Sequence, residues 1–493
     1  MLFLGFSAGI PYLLIFSTLS VWLSEAGVER SAVTFFSWAA LGYSFKFLWA
    51  PIVDLLPLPF LTRSLGRRRG WLLVAQMLII TAIIAMALVD PAAGGFSLTL
   101  MAFAAVLLGF SSATQDIVID AYRIEKGEET LQALFASMYI AGYRLGMLAS
   151  GAGSLFLADF LAGDATGYSY AVWRTTYLAM AVVMSSGVIT TLCVSEPVKD
   201  HSVSRHSYTA LDYLRFLAVF VLTMAAFGLS FFYAGSSLPE FLLPQIGEGG
   251  TFAPFIAEVL RFGLAVGLAG VVAWLTVATG LADKKMVARA YVAPVRDFFL
   301  RYGGKTAILI LLLVGVYRLS DIVLGVVANV FYIDLGFSKT AIAGVTKTFG
   351  LAMTLVGGFL GGFLTARFGV AKILFLGAVL SAATNLLFML LAGVGADIAM
   401  LTVVIGADNL SAGIAATAFI AFLSSLTSVS FTAVQYAIFS SLMSLFPKVI
   451  GGYSGTMVSA IGYDSFFLCT ALMGVPVLIL IWWVQKLQSA DGK

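Results

Sequence analysis

Charge is what this sequence has least of. Of its 493 residues, 11% are Asp, Glu, Lys or Arg, where a soluble domain carries about 25%. Hydrophobic residues make up 60%, and mean hydropathy is +1.01. With 28 basic and 25 acidic side chains, a chain of this length cannot cover itself for water, so a soluble fold is excluded. Cysteine is nearly absent: Cys193 and Cys469 both lie in apolar runs, which excludes a disulfide framework. The two histidines, His201 and His206, fall in a polar linker without an Asp or Cys cluster, so no metal site is expected. Neither His-Glu-x-x-His nor Gly-x-x-x-x-Gly-Lys-Ser/Thr occurs. No enzyme is expected, and work driven by ATP is excluded. A net charge of +3 is too small to suggest a nucleic-acid partner.

What is present is a series of long apolar runs suited to crossing a hydrocarbon core about 30 Å thick. A membrane barrel would show segments of about ten residues with alternating polarity instead. The chain therefore reads as an all-α membrane protein of about fourteen spans. Six are expected at 1–23, 31–56, 71–89, 97–121, 132–158 and 171–193, forming an N-terminal half over 1–193. Six more, at 305–332, 339–366, 370–393, 397–424, 430–447 and 456–485, form a second half over 305–493. Between them, residues 194–304 are linker segments with two inserted spans at 211–236 and 255–280. The first run starts at Met1 without a preceding basic segment, so it reads as a first helix rather than a cleaved signal.

Basic residues favour one face. Loops on that side hold Arg63, Arg67, Arg68, Arg69, Arg123, Lys126, Lys199, Arg205, Lys284, Lys285, Arg289, Arg296, Arg301, Lys305, Arg367, Lys372, Lys486 and Lys493. The opposite loops hold Arg30, Arg174, Lys339 and Lys448. The positive-inside rule then puts both termini in the cytoplasm.

A charge near the bilayer centre costs at least about 2.5–3.5 kcal/mol and calls for a partner, a wet cavity or a function. At 1.5 Å per residue, Lys46, Arg144, Arg318 and Asp408 lie about 15–20 Å into their spans. Lys347 lies about 10 Å from the outer face. Asp116 and Asp120 share one helix face at i, i+4, and Arg318 and Asp321 share another at i, i+3. Asp116 with Asp120 fits either a proton-carrying pair or a clamp on the basic loop at 63–69. Arg318 with Asp321 fits either an ion pair or a working site. Lys46, Arg144 and Arg318 are candidate anion anchors, while Asp116, Asp408 and Asp321 are candidate proton carriers. Tyr43, Trp49, Tyr139, Tyr143, Tyr317 and Tyr436 lie near embedded polar groups, where aromatic faces suit sugar rings. Gln115 and Gln435 are amides able to bond a sugar or a neighbouring helix. Gly142 with Gly146, and Gly357 with Gly361, have the spacing of close helix seams.

Asp54 with Gly66-Arg67-Arg68-Arg69-Gly70, and Gly362 through Gly369 with Arg367 and Lys372, occupy equivalent places in the two halves. Both stretches resemble the Gly-x-x-x-Asp-Arg-x-Gly-Arg-Arg loop of the major facilitator superfamily. Leu55 stands where that loop has Arg, and Ala366 where it has an acid. The resemblance implies a fold of two six-helix halves, with Asp54, Arg67, Arg68, Asp120 and Arg367 as gating residues.

Several blocks are similar to AmpG-type muropeptide permeases, a branch of that superfamily. They are Lys46-Phe47-Leu48-Trp49-Ala50-Pro51, Gly66 through Leu73 with Gln76, Gln115-Asp116-Ile117-Val118-Ile119-Asp120-Ala121, Gly142 through Leu148, and Ala293 through Phe299. The resemblance implies a monomeric inner-membrane carrier that imports GlcNAc-1,6-anhydro-muramyl peptides for wall recycling. It would use a proton gradient without a cofactor, by alternating access, and feed a signal tied to β-lactamase induction. Lys46, Arg144, Arg318, Gln115, Gln435, Tyr43 and Tyr143 would then contact substrate. A carrier of another anionic metabolite, acetyl-CoA-like or a sugar phosphate, is the alternative.

Overall fold

The computed structural model describes residues 1–29, 36, 41–128, 131–163, 167–197, 208–246 and 252–490. Among these, regular structure is entirely helical. His201, His206, Arg30, Lys199, Arg205 and Lys493 lie outside the described residues. Residues 1–199 with 298–493 form one compact unit, and 200–297 form a second.

Thirteen helical segments among the described residues are long and apolar enough to span a membrane. In the first unit these are α1 (Leu2–Glu25), α3 (Arg67–Ala87), α4 (Gly95–Lys126), α5 (Gln132–Ala162) and α6 (Tyr170–Cys193). After the second unit come α9 (Gly304–Asp334), α10 (Ala343–Phe368), α11 (Val370–Val394), α12 (Ile398–Leu426), α13 (Val429–Gly451) and α14 (Ser454–Leu487). The span expected at 31–56 is described mainly over 41–55, here α2, as three short pieces: Leu41–Phe45, Lys46–Leu48 and Ala50–Leu55. Outward faces carry exposed apolar side chains such as Phe103, Phe156 and Phe359, as lipid requires.

Lipid is as apolar as leucine, so these helices associate through close packing rather than exclusion from water. The glycine spacings supply that packing. A methyl group on Gly142 or Gly146 of α5 would strike the carbonyls of Leu2 and Phe6 on α1. One on Gly357 would strike the Leu410 carbonyl, and one on Gly361 would lie 2.7 Å from the Ile414 Cα, both on α12. Aromatic clusters fill the gaps: Trp22 stacks on Trp173 at 5.8 Å in the first half. Phe331 meets Phe467 at 4.7 Å in the second. The halves meet where α5 packs on α10 and α12, and where α13 packs on α2 and α4.

The second unit contains α7 (Ala210–Ile246) and α8 (Phe252–Ala278), which pack on each other. Arg261 is accommodated within that hairpin: its Nε donates to the Phe231 carbonyl at 2.8 Å, and its guanidinium lies 3.9 Å from the Phe231 ring centre.

Candidate functional site

Four membrane-embedded cations sit in or beside irregular turns. Lys46 opens the 3₁₀ piece of α2, which ends before Pro51 restarts the helix. Arg318 stands at the break between Gly304–Val316 and Leu319–Asp334 within α9. Lys347 lies inside a π-helical stretch, Ala343–Phe349, and Arg144 one turn ahead of another, Ala149–Gly153. Interrupted helices free backbone carbonyls at membrane depth and are tolerated where they line a cavity.

Arg144 is accessible yet deep within the protein, the position of a group facing an internal space rather than lipid. No hydrogen bond or ion pair engages it among the described residues. The groups within electrostatic range are Arg318, from the other half, and the hydroxyls of Tyr12 and Tyr143. Tyr12 also meets Tyr43 at 6.0 Å and Tyr143 at 6.3 Å, and Tyr143 meets Tyr139 at 6.0 Å. The Tyr43 hydroxyl donates to Ser112 at 2.6 Å. One wall is thus a run of tyrosines around a guanidinium unpaired among the described residues.

The facing wall belongs to the second half. Arg318 Nε lies 3.9 Å from Asp321, and both are partly accessible. Ser381 donates to Asp321, and one turn along α11 Thr384 donates to Asp408 at 3.3 Å. Asp408 lies within electrostatic range of Asp321 and Arg318. Arg318, Asp321 and Asp408 therefore form one polar string, held by two hydroxyls that share a helix face. Lys347 is exposed and has no bonded partner among the described residues.

Below the tyrosines lies a buried layer of paired charge. Lys46 Nζ stands 3.6 Å from Asp120 Oδ2, and Arg123 Nη2 stands 3.6 Å from Asp120 Oδ1. Lys46 is thus neutralised within its own half and does not present a free charge to an anion in this conformation. Asp116 is buried and accepts from the Tyr139 hydroxyl at 3.4 Å. Gln115 is fully buried, and neither of its amide atoms has a hydrogen-bond partner. It is sealed from the cavity here, which departs from its expected sugar contact.

At the end bearing Arg67–Arg69, the halves are joined. Arg68 Nη2 donates to Asp54 at 2.7 Å and to Glu125 at 2.6 Å, with its Nε on Glu125 at 3.0 Å. From the second half, Thr432 donates to Glu125 at 2.6 Å, and the Val434 amide donates to Asp54 at 3.2 Å. The latter is the start of helix Thr432–Gly451, where orphan amides and the dipole favour a carboxylate. Arg67 donates to the Asp54 carbonyl, and Glu196 accepts from the Arg68 and Arg69 amides at 2.8 and 3.0 Å. Arg123 crosses the same seam to Ser424 at 2.9 Å. A further bond between the halves, Lys448 to Ser44 at 3.4 Å, lies about 15 Å along α2 from Asp54.

Some expected placements change. Asp120 does not clamp the basic loop; Glu125, Asp54 and Glu196 do, because Asp120 faces inward to Lys46. Gln435 is not free for a sugar. Its amide oxygen already accepts from Arg301 at 2.9 Å and from the Ser428 amide at 2.7 Å. Arg367 is exposed and lies over the Phe368 ring at 5.7 Å. Ala366 leaves it without the acid that Asp54 supplies to Arg68. Sequence reasoning missed Tyr12, Ser381 and Thr384, which show no charge, Glu125, which drew no reading, and Arg123, which read as a topology charge at a helix end.

The first 160 residues match the family model described as acetyl-coenzyme A transporter 1. Over 483 residues the chain is 30% identical to the Rickettsia felis transporter AmpG 4, covering 98% of this chain and 95% of that one. It is also 30% identical to the anhydromuropeptide permease of Escherichia coli K12, covering 98% and 78%. The chain belongs to the AmpG family. Among solved structures, the proton:xylose symporter XylE bound to 6-bromo-6-deoxy-D-glucose matches with a TM-score of 0.60 at 14% identity. That match covers 98% of this chain and 92% of the symporter. The fold is therefore that of the major facilitator superfamily. As an AmpG-family protein this is a multi-pass membrane transporter.

Proposed function

We propose that this transporter imports anhydro-muropeptides, GlcNAc-1,6-anhydro-muramyl peptides, across the inner membrane, with both termini in the cytoplasm. The observation that carries the reading is Arg144: a guanidinium unpaired among the described residues, deep in the protein, beside Tyr12 and Tyr143. Tyrosine faces take sugar rings, and a guanidinium without a carboxylate partner among the described residues takes the carboxylate of the cargo. The name of the Escherichia coli relative supports the same cargo. In this reading Arg144 and Arg318 anchor the anion. Asp321, Asp408 and Asp116 are the carboxylates available to carry protons, so that movement down a proton gradient drives uptake by alternating access.

A second reading, an acetyl-CoA-like cargo, is favoured by the family match over residues 1–160. One assay separates them. Proteoliposomes are given labelled GlcNAc-anhydro-muramyl tripeptide with and without an inward proton gradient, then challenged with unlabelled disaccharide or acetyl-CoA. Gradient-dependent uptake blocked by the disaccharide alone is the expected result. Block by acetyl-CoA alone transfers the assignment to the second reading, and uptake indifferent to the gradient removes the proton carriers.

A further inference from the structure

We propose that Arg123 is a positioning residue for transport: a latch that ties the buried charge layer of the first half to closure of the Arg67–Arg69 end. The proposal goes beyond the cargo assignment and does not depend on it. Arg123 is fully buried near the end of α4, with side chains from both halves around it. On its own helix it meets Asp120 at 3.6 Å. From the second half it meets Ser424 of α12, to which Nη1 donates at 2.9 Å, and Tyr436 of α13, whose ring centre lies 5.3 Å from the guanidinium carbon. Ser424 gives its own proton to the Ile420 carbonyl at 2.7 Å, so its oxygen is oriented to accept.

The site differs from the Arg68 cluster in what it is attached to. Arg68 binds carboxylates at the loop margin, Asp54 and Glu125. Asp120, which holds Arg123, also holds Lys46, and it lies one helical turn from Asp116 on the same face. Any change in that layer moves the carboxylate that positions Arg123. The guanidinium is also under-satisfied as it stands. Among the described residues Nε and Nη2 make no hydrogen bond, and 3.6 Å to Asp120 is an ion pair beyond hydrogen-bond length. A buried donor left without an acceptor is costly. An arrangement in which Asp120 closes on those two nitrogens, releasing Ser424 and Tyr436, recovers part of that cost. Two alternative partner sets for one buried charge are what a two-state latch requires.

The first readout is conformation without substrate, and the second is uptake of labelled GlcNAc-anhydro-muramyl tripeptide. Spin labels are placed at Glu128 and Ser425, both exposed and on opposite halves, and their separation is measured in the full-length protein. Ser424→Ala removes the acceptor across the seam and leaves the Asp120 pair intact. It should lower the ratio of short to long separations about tenfold, the worth of a bond to a charged donor. Arg123→Lys keeps the charge beside Asp120 but lacks the fork that reaches Ser424 and covers Tyr436. It should lower the ratio at least as far, and reduce maximal transport rate while substrate affinity holds. A distance distribution unchanged in both variants overturns the proposal. So does loss of affinity and rate together with unchanged distances, which would make Arg123 a structural support for the cavity.

Discussion

Lys46 and Asp120 stand 3.6 Å apart with both side chains buried, and each neutralises the other inside the membrane. Asp120 also pairs with Arg123, so Lys46→Ala leaves that carboxylate compensated, while Asp120→Ala leaves two buried cations without one, which costs about 3–5 kcal/mol. Asp120→Ala should therefore lower thermal stability in detergent sharply and Lys46→Ala less, and the double variant, with only Arg123 left orphaned, should recover part of the loss. A double variant as unstable as the sum of the two would show that they act independently.

Arg144 gives the opposite expectation. With no hydrogen bond or ion pair among the described residues to lose, Arg144→Gln should leave folded yield and melting temperature close to those of the parent. Half-saturation by the cargo should rise at least about tenfold, since a charge-assisted contact to a carboxylate is worth about 1.5–3 kcal/mol. Normal uptake by this variant would remove Arg144 from the binding site. A destabilised protein would show that it has a structural partner instead.

The glycine seam sets a limit on packing. A side chain on Gly142 meets the Leu2 carbonyl and one on Gly146 the Phe6 carbonyl, so α1 must move away from α5. Gly142→Ala should lower stability by about 1–3 kcal/mol, read as a drop in monodisperse protein on size exclusion. Gly325→Ala, where nothing lies within 4 Å, is the matched control and should behave as the parent. Equal behaviour of the two variants would mean that the seam is looser than described.

These contrasts show what the sequence made legible. Apolar run lengths gave the spans, because hydrocarbon thickness fixes helix length whatever the helix packs against. Gly142, Gly146, Gly357 and Gly361 were legible as seams, since close approach has few other solutions. The partners of the charges were not. Spacing placed Asp116 and Asp120 on one face, yet which neighbour that face meets depends on how α2 and α4 pack. That geometry gave Asp120 to Lys46 and left Glu125 to the loop. Tyr12 was passed over because no charge adjoins it on its own helix; Arg144 reaches it from α5. Gln435 shows the same blind spot from the other side. Its amide looked available until the fold placed Arg301 and the Ser428 amide against it.

The two basic loops look equivalent along the chain, and the structure separates them. Arg68 is buried against Asp54 and Glu125 and reaches Thr432 of the other half at 3.4 Å. Arg367 is exposed and meets only the Phe368 ring among its described contacts. Of the two loops, only the first therefore carries charged contacts that close this end among the described residues. Arg68→Gln leaves Asp54 and Glu125 facing each other unneutralised, so this end should open, with a loss of transport of tenfold or more from about 1.5–3 kcal/mol of charged bonding. Arg367→Gln should change transport by less than about twofold, in line with the small worth of an exposed charge. Cysteine labelling at Ser425, on the second half at this end, should accelerate in Arg68→Gln and stay at the parent rate in Arg367→Gln. Equal acceleration in both would restore the second loop to the gate.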